Sequence, residues 1–449
     1  MRNAGLQQLS TDADTPGLKG TMIRCITRIA LILLLPASAA VRADETLQLP
    51  SSLPPVPQTA PAQASPSPLP VPATGTGRID LLFEGAMGRG LIAGGAVLIG
   101  DREGALFEKA YGRTSAEMNA PPVALDTIFD IASLTKVLAT TPAVLKLAEE
   151  RRLSLVDPLI KWFPEFMGKD KDDLLVMNLL THTSGLDDFS LSSSAPLQSA
   201  IAGAASQRLN GGIGSRFKYA DINFILLAEL VRRVSGETLD VYTATRFYAP
   251  LGMRDTSFKP DRGSISRCAT TVGDGKACYV GVPQDHTARL LGGVAGHAGL
   301  FSTVRDLERF CRMILNEGEL DGRRVLSERA VRQMTAPYFS RGGQVVRGLG
   351  WDRASPFSSP RGNGFSEVSF GHTGFTGSSI WIDPAADIFV VVLTSRIDYR
   401  RTREFNQFRG EISTVAAELF PPEGGVEQGR TPDRDTGGAA RGGKGIRLP

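Results

Sequence analysis

Apolar and polar positions follow two rhythms along this chain, strand-like near the two ends of its apolar part and helical between them. Ala93-Gly94-Gly95-Ala96-Val97-Leu98-Ile99 is a strand-like run, Gly100-Asp101-Arg102-Glu103-Gly104 is turn chemistry, and Ala105-Leu106-Phe107 resumes an extended segment. Together they predict a β-hairpin, with a helix just before it near residues 80–87. Far downstream, Ser379-Ile380-Trp381-Ile382-Asp383-Pro384 and Ile388-Phe389-Val390-Val391-Val392-Leu393 flank a short turn and predict a second hairpin. Residues 137–265 carry mostly helical pattern; the stretch from Phe224 to Val234 stops at Gly236, a natural C-terminal cap. Strands at both ends with helices between predict an α+β fold, an antiparallel sheet formed by the N- and C-terminal parts, flanked by helices, with a mainly helical insertion.

Both termini depart from this pattern. Arg24 and Arg28 precede the apolar run Ile29-Ala30-Leu31-Ile32-Leu33-Leu34-Leu35, and small residues follow from Ala37 to Ala43. A basic region, a short apolar core and an A-x-A-like end describe a secretory signal over residues 1–43. Met22 stands where such a signal would ordinarily start. The apolar run falls short of the about 20 residues that span a bilayer, so a periplasmic or secreted product is expected, with an uncleaved anchor as the alternative. Residues 44–77, rich in Pro, Ala, Ser and Thr, read as an extended linker. Residues 78–422 form the folded unit, and 423–449, dominated by Gly and Arg, a disordered basic tail.

Composition narrows the function. Hydrophobic residues make up 42% and charged residues 22%, which suits a chain with a large buried core. A net charge of +3 gives no reason to expect a nucleic-acid partner. Four histidines scattered without a His-Glu-x-x-His or cysteine cluster predict no metal site. Cys268 and Cys278 bracket a polar loop and are candidates for a disulfide after export, with two unpaired thiols as the alternative; Cys311, in an apolar helical pattern, reads as a core thiol.

The chemistry centres on Ser133-Leu134-Thr135-Lys136, which opens the apolar helical stretch of residues 137–147. Residues three apart share a helical face, so Lys136 would stand one turn behind the Ser133 hydroxyl. A lysine desolvated there could lose its proton near neutral pH and activate the alcohol. The spacing alone is weak, since Ser215-Arg216-Phe217-Lys218 repeats it without opening an apolar helix. Two more segments strengthen the first copy: Tyr219-Ala220-Asp221 just before a helix, and His372-Thr373-Gly374 just before a strand. No Gly-x-Ser-x-Gly elbow occurs, which removes the main support for an α/β-hydrolase.

That ordered trio resembles the serine β-lactamase and penicillin-binding-protein family, in its class C branch with family VIII esterases and type-4B penicillin-binding proteins. Leu180-Thr181-His182-Thr183-Ser184-Gly185-Leu186, Pro250-Leu251-Gly252-Met253, Gly348-Leu349-Gly350-Trp351 and the glycine-rich segment 292–303 agree with it. The resemblance implies a β-lactamase/transpeptidase-like fold and acyl transfer without a cofactor. Ser133 would be the nucleophile, Lys136 and Tyr219 its proton partners, and the Ser133 and Phe375 N–H groups an oxyanion hole. Asp221, His372, Thr373 and Gly374 would meet the substrate, a small molecule or peptidoglycan peptide, with β-lactams as covalent ligands. D-alanyl-D-alanine carboxypeptidase and esterase activities are both compatible. Two departures stand out: Asp221 replaces the family's usual Asn, and His372 its usual Lys. Asn223 is a candidate for the missing carboxamide. Histidine, with an ordinary pKa of about 6.5, would supply the substrate-binding charge only in part at neutral pH. A non-catalytic peptidoglycan-binding or scaffolding protein is the alternative, though a binder has no need of both Ser133 and Lys136.

Overall fold

The computed structural model describes residues 75–273, 278–342 and 344–422; the expected leader, the linker up to residue 74 and the basic tail lie outside the described residues. The two predicted hairpins form and join one antiparallel sheet. Its strands are β1 (Ile92–Gly100), β2 (Ala105–Gly112), β3 (Phe370–Thr373), β4 (Ser379–Asp383) and β5 (Ile388–Arg396), in spatial order β3-β4-β5-β1-β2. The register sets Val97 opposite Val392 and Leu98 opposite Val391.

Side chains alternate across the pleat, and both faces are covered. Ala96, Leu98, Val391 and Leu393 enter the larger core. Val97, Ile99, Val390 and Val392 pack instead with Ile79, Phe83, Phe408 and Ile412. These last come from α1 (Gly77–Gly88) and α7 (Thr402–Leu419), which lie together over one face. Coverage on both sides is why β1 and β5 read as continuous apolar runs rather than as alternating ones.

The second face carries the helical part: α2 (Thr141–Glu149), α3 (Pro196–Ser206), α4 (Ile222–Ser235), α5 (Val304–Leu315) and α6 (Glu328–Thr335). In α5 the buried Leu307, Phe310, Cys311 and Ile314 recur at helical spacing, and the Thr303 hydroxyl caps the start by accepting the Asp306 N–H at 3.2 Å. Helix α4 ends on Gly236 in the left-handed region, as its sequence predicts. No helix among the described residues is long and apolar enough to cross a membrane.

The cysteines require a correction. Cys268 is a free, buried thiol, so no Cys268–Cys278 bridge forms. Its Sγ reaches the Ser264 carbonyl at 3.6 Å, and its side chain packs with Ile128 and Phe301. Cys278 stands opposite Val272 in a two-residue strand pair, so the hairpin register matches it to a valine and not to the other cysteine. Cys311 is the buried free thiol its helical pattern predicts.

Candidate active site

The segment before Ser133 is pinned from several directions. Phe129–Asp130 pairs with Phe301–Ser302, and the chain then folds into a tight 3-10 turn, Ala132–Leu134. Ala132 has φ 45°, a conformation that costs a residue with a β-carbon on the order of 1–3 kcal/mol. It is held by the Asp130 carboxylate, which accepts the Ala132 N–H at 2.9 Å, and by the Ile131 N–H donating to the Leu300 carbonyl at 3.0 Å. The expected regular helix from Ser133 does not form. Residues Lys136–Thr140 make a wide π-turn, and α2 begins only at Thr141. Pro142 has no N–H to return to Leu138, whose carbonyl accepts the Tyr248 hydroxyl at 3.3 Å instead.

Lys136 sits one turn behind Ser133, at the spacing the sequence predicts, and its side chain is wholly buried. An ammonium has three N–H groups; two of them are met by hydrogen-bond acceptors, and a carboxylate oxygen stands at ion-pair distance without a hydrogen bond in line. The acceptors are Ser133 Oγ at 3.0 Å and the His297 carbonyl at 3.0 Å, and the carboxylate oxygen is Asp221 Oδ1 at 2.8 Å. Burial pulls the Lys136 ammonium down, but the Asp221 carboxylate and the Tyr219 hydroxyl outweigh it, and the group is held well above its ordinary range. The expectation that desolvation would free the amine near neutral pH is therefore reversed. Opposite charge at contact wins over burial.

The Tyr219 ring lies 4.9 Å from Lys136 Nζ and stacks on His182 at 4.5 Å. Burial pushes the Tyr219 hydroxyl up, with Lys136 pulling against it. His182 Nδ1 accepts the Ala220 N–H at 3.2 Å and lies 3.3 Å from Asn223 Nδ2, so the imidazole braces the tyrosine loop. Asn223 is fully buried and already used: Nδ2 donates to the Ala220 carbonyl at 3.1 Å and Oδ1 accepts the Ser184 hydroxyl at 2.6 Å. It does not stand in for the missing carboxamide. The second Ser-x-x-Lys is surface structure, with Ser215 bonded to the Gly212 carbonyl at 2.6 Å and Lys218 paired to Asp187.

Strand β3 forms the opposite wall. Gly374, just past its end, lies so close to the Ile131 carbonyl that a β-carbon would collide with it, which explains the small residue beside the segment that carries Ser133. His372 is buried, with Nδ1 2.9 Å from the Thr373 carbonyl. Burial, then the Arg347 and Lys136 charges, hold its imidazole far below the usual value. His372 is thus neutral at pH 7 and supplies no charge to a substrate, less than the partial charge its sequence suggests. Phe375 is exposed and stacks on Tyr399 at 4.8 Å; its N–H makes no hydrogen bond among the described residues.

The positive charge comes from residues the sequence reading missed. A cavity of about 210 Å³ opens on Ser133, Tyr219, His372, Thr373, Gly374 and Phe375, and its remaining wall includes Phe357, Arg347, Arg396, Asn406 and Arg409. Arg347 is buried with Asp352 at 3.7 Å. Arg396 and Arg409 make no ion pair with a carboxylate among the described residues. Arg396 donates to the Thr402 hydroxyl at 2.9 Å, and Arg409 to the Ser378 carbonyl at 2.7 Å and Asn406 Oδ1 at 2.6 Å. Burial, with Arg396 nearby, pushes Arg409 down to about 9. Two buried guanidiniums without counter-ions face the cavity next to the serine. The signal was available in α7, where Arg409 falls on the same stripe as Phe405, Phe408 and Ile412.

On the other side of the lysine, Asp221, Asp285 and His297 place ligand atoms within 4.8 Å of one another. The Lys136 ammonium already stands against this group through Asp221 and the His297 carbonyl. Burial would raise the Asp285 carboxyl, but His297 Nε2 at 2.9 Å holds it well below the usual carboxylate range. A larger cavity of about 530 Å³, lined by Leu197, Ile225, Leu239, Leu291 and Val294 among others, contains none of the predicted site residues.

A family model described as Beta-lactamase matches residues 79–408. The chain belongs to the β-lactamase family. N-acetylmuramyl-L-alanine amidase of Bacillus subtilis (strain 168) is 29% identical to it over 364 residues, 71% of this chain and 80% of that protein. A protein of Escherichia coli (strain K12), provisionally named a D-alanyl-D-alanine carboxypeptidase, is 29% identical over 337 residues, 65% of this chain and 75% of its own. Class C beta lactamase from Rhodobacter sphaeroides superposes with a TM-score of 0.63 at 19% identity, over 76% of this chain and 99% of that one, a likeness of fold. Family and fold are those the motifs predicted: a β-lactamase-family chain, in a family of serine hydrolases, with helices around an antiparallel sheet.

Proposed function

We propose that this protein is an exported serine hydrolase acting by acyl transfer through an ester on Ser133. The observation that carries the reading is Lys136 Nζ at 3.0 Å from the Oγ of Ser133, which lines a cavity shared with Arg396 and Arg409. Ser133 attacks the substrate carbonyl; Lys136 and Tyr219 take up its proton and return it to the leaving group. The Ser133 and Phe375 N–H groups hold the oxyanion, a donor pair of which either member is typically worth about 10²–10³ in rate.

Arg396 and Arg409 favour a substrate with a carboxylate near the scissile bond, since two buried cations without a carboxylate partner among the described residues are relieved by an anion. A D-alanyl-D-alanine carboxypeptidase-like or amidase-like reaction on peptidoglycan peptides fits this better than hydrolysis of a neutral ester. The names of the similar amidase and carboxypeptidase point the same way. Export rests on the leader-like residues 1–43.

The test is peptide mapping of the protein after exposure to penicillin and, separately, to a fluorophosphonate, with Ser133→Ala as control. An adduct on Ser133 from both reagents supports the peptidase-like reading; one from the fluorophosphonate alone moves it to an esterase. No adduct on folded protein would move it to a peptidoglycan-binding module.

A further inference from the structure

Asp221 occupies the place where the motif pattern calls for a carboxamide, and the exchange alters the lysine more than the substrate. A carboxamide would offer Lys136 a neutral oxygen and the substrate an N–H donor; a carboxylate offers a full charge and no donor. In the structure that charge is turned on the lysine, with Asp221 Oδ1 2.8 Å from Nζ. Asp221 also sits at the N-cap of α4, yet its side chain makes no capping hydrogen bond, so the helix does not account for it.

On the reading that Ser133 becomes acylated, we propose that Asp221 is a positioning residue that sets the protonation state of Lys136 and, through it, the pH at which Ser133 turns nucleophilic. Only the neutral amine can accept the Ser133 proton. Two hydrogen-bond acceptors hold Nζ, and the Asp221 carboxylate at 2.8 Å, in an ion pair with it, penalises its loss of a proton.

Other groups face the lysine from each surrounding element. Tyr219 lies on the same loop as Asp221, its ring 4.9 Å away. Asp188, from the segment before α3, is tied to the Ile222 N–H at 2.9 Å. The loop before α5 brings the His297 carbonyl, with the His297 ring held by Asp285. His372 in β3 and His182 below Tyr219, both held neutral by burial, also feel the Lys136 charge. Of the carboxylates, Asp221 is the one in an ion pair with Lys136 among the described residues.

The experiment follows the second-order rate of Ser133 modification by a fluorophosphonate between about pH 5 and about pH 11, in the wild-type protein and Asp221→Asn. The wild-type rate should climb far into the alkaline range. Asp221→Asn should move that limb down by at least about one pH unit, a roughly tenfold gain in rate near pH 7. A limb that stays in place in Asp221→Asn, or a loss of rate at every pH without movement, overturns the proposal. Failure of the hydrolase reading looks different: the wild type then gives no Ser133 adduct at any pH. Should Asp221→Asn melt early, a ¹³C NMR titration of the Lys136 ε-carbon in the native protein decides. A midpoint above the free lysine value of about 10.4 supports the proposal, and one at or below it overturns it.

Discussion

The Thr376 hydroxyl donates to the Asp130 carbonyl at 2.6 Å, joining the loop after β3 to the segment that carries Ser133. The two walls of the cleft are therefore one hydrogen-bonded unit. The Ser378 hydroxyl repeats the tie, donating to the Ile131 carbonyl at 2.9 Å.

Thr376→Val keeps the shape of the side chain and removes the donor. Stranding a buried carbonyl costs about 1–3 kcal/mol, so urea unfolding should show a loss of that size. The rate of Ser133 modification should fall with it, because Phe375, the proposed second oxyanion donor, and Ser133 sit on opposite sides of the lost bond. A variant with unchanged stability and rate would show that the tie is dispensable.

Arg409 tests the anion reading. Replacing it by Met removes one charge-assisted contact, worth a factor of roughly ten to a hundred in affinity. The loss should appear as a raised KM for carboxylate-bearing peptides or slower acylation by penicillin, and be much smaller for a neutral ester. Equal losses on both substrates would remove the arginines from recognition.

Stability toward acid should reflect two opposed sets of groups. His182 and His372 are held neutral by burial, with Arg347 and Lys136 adding to the effect. Unfolded histidines take a proton near pH 6.5, so the folded state loses stability as pH falls from about that value. Burial raises Asp130 to about 6, so its contribution is present below the unfolded value of about 3.9 and lost as pH rises through about 6. Relative to wild type, His372→Asn should flatten the acid-side fall in melting temperature and Asp130→Asn should steepen it. Parallel melting curves for all three proteins would contradict these assignments.

The cysteines give a direct chemical check. Cys268 is buried, and burial pushes its thiol up to about 11. Native protein treated with iodoacetamide should keep Cys268 and Cys311 unmodified, and unfolding should expose both. A Cys268–Cys278 cross-linked peptide in a non-reducing digest would show that the free thiol is not the folded state.

Much of the architecture was legible because it is written in short-range periodicity. The hairpins around residues 100–104 and 384–387, the helix ending at Gly236 and the i, i+3 spacing of Ser133 and Lys136 all depend on neighbours a few residues away. The regular helix expected after Ser133 fails for an equally local reason, Pro142, whose missing N–H is itself written in the sequence.

The sequence by itself therefore determined the two hairpins, the helix ending at Gly236, the family and the spacing of Ser133 and Lys136. Tertiary structure alone decided the charges. Lys136 is a firm cation because Asp221 and the His297 carbonyl converge on it, His372 is neutral because burial and Arg347 surround it, and the cavity is positive because Arg396 and Arg409 from the far end of the chain close it. Proton affinity depends on burial and on distances of a few ångströms between groups, and segments distant in the sequence acquire those distances only on folding.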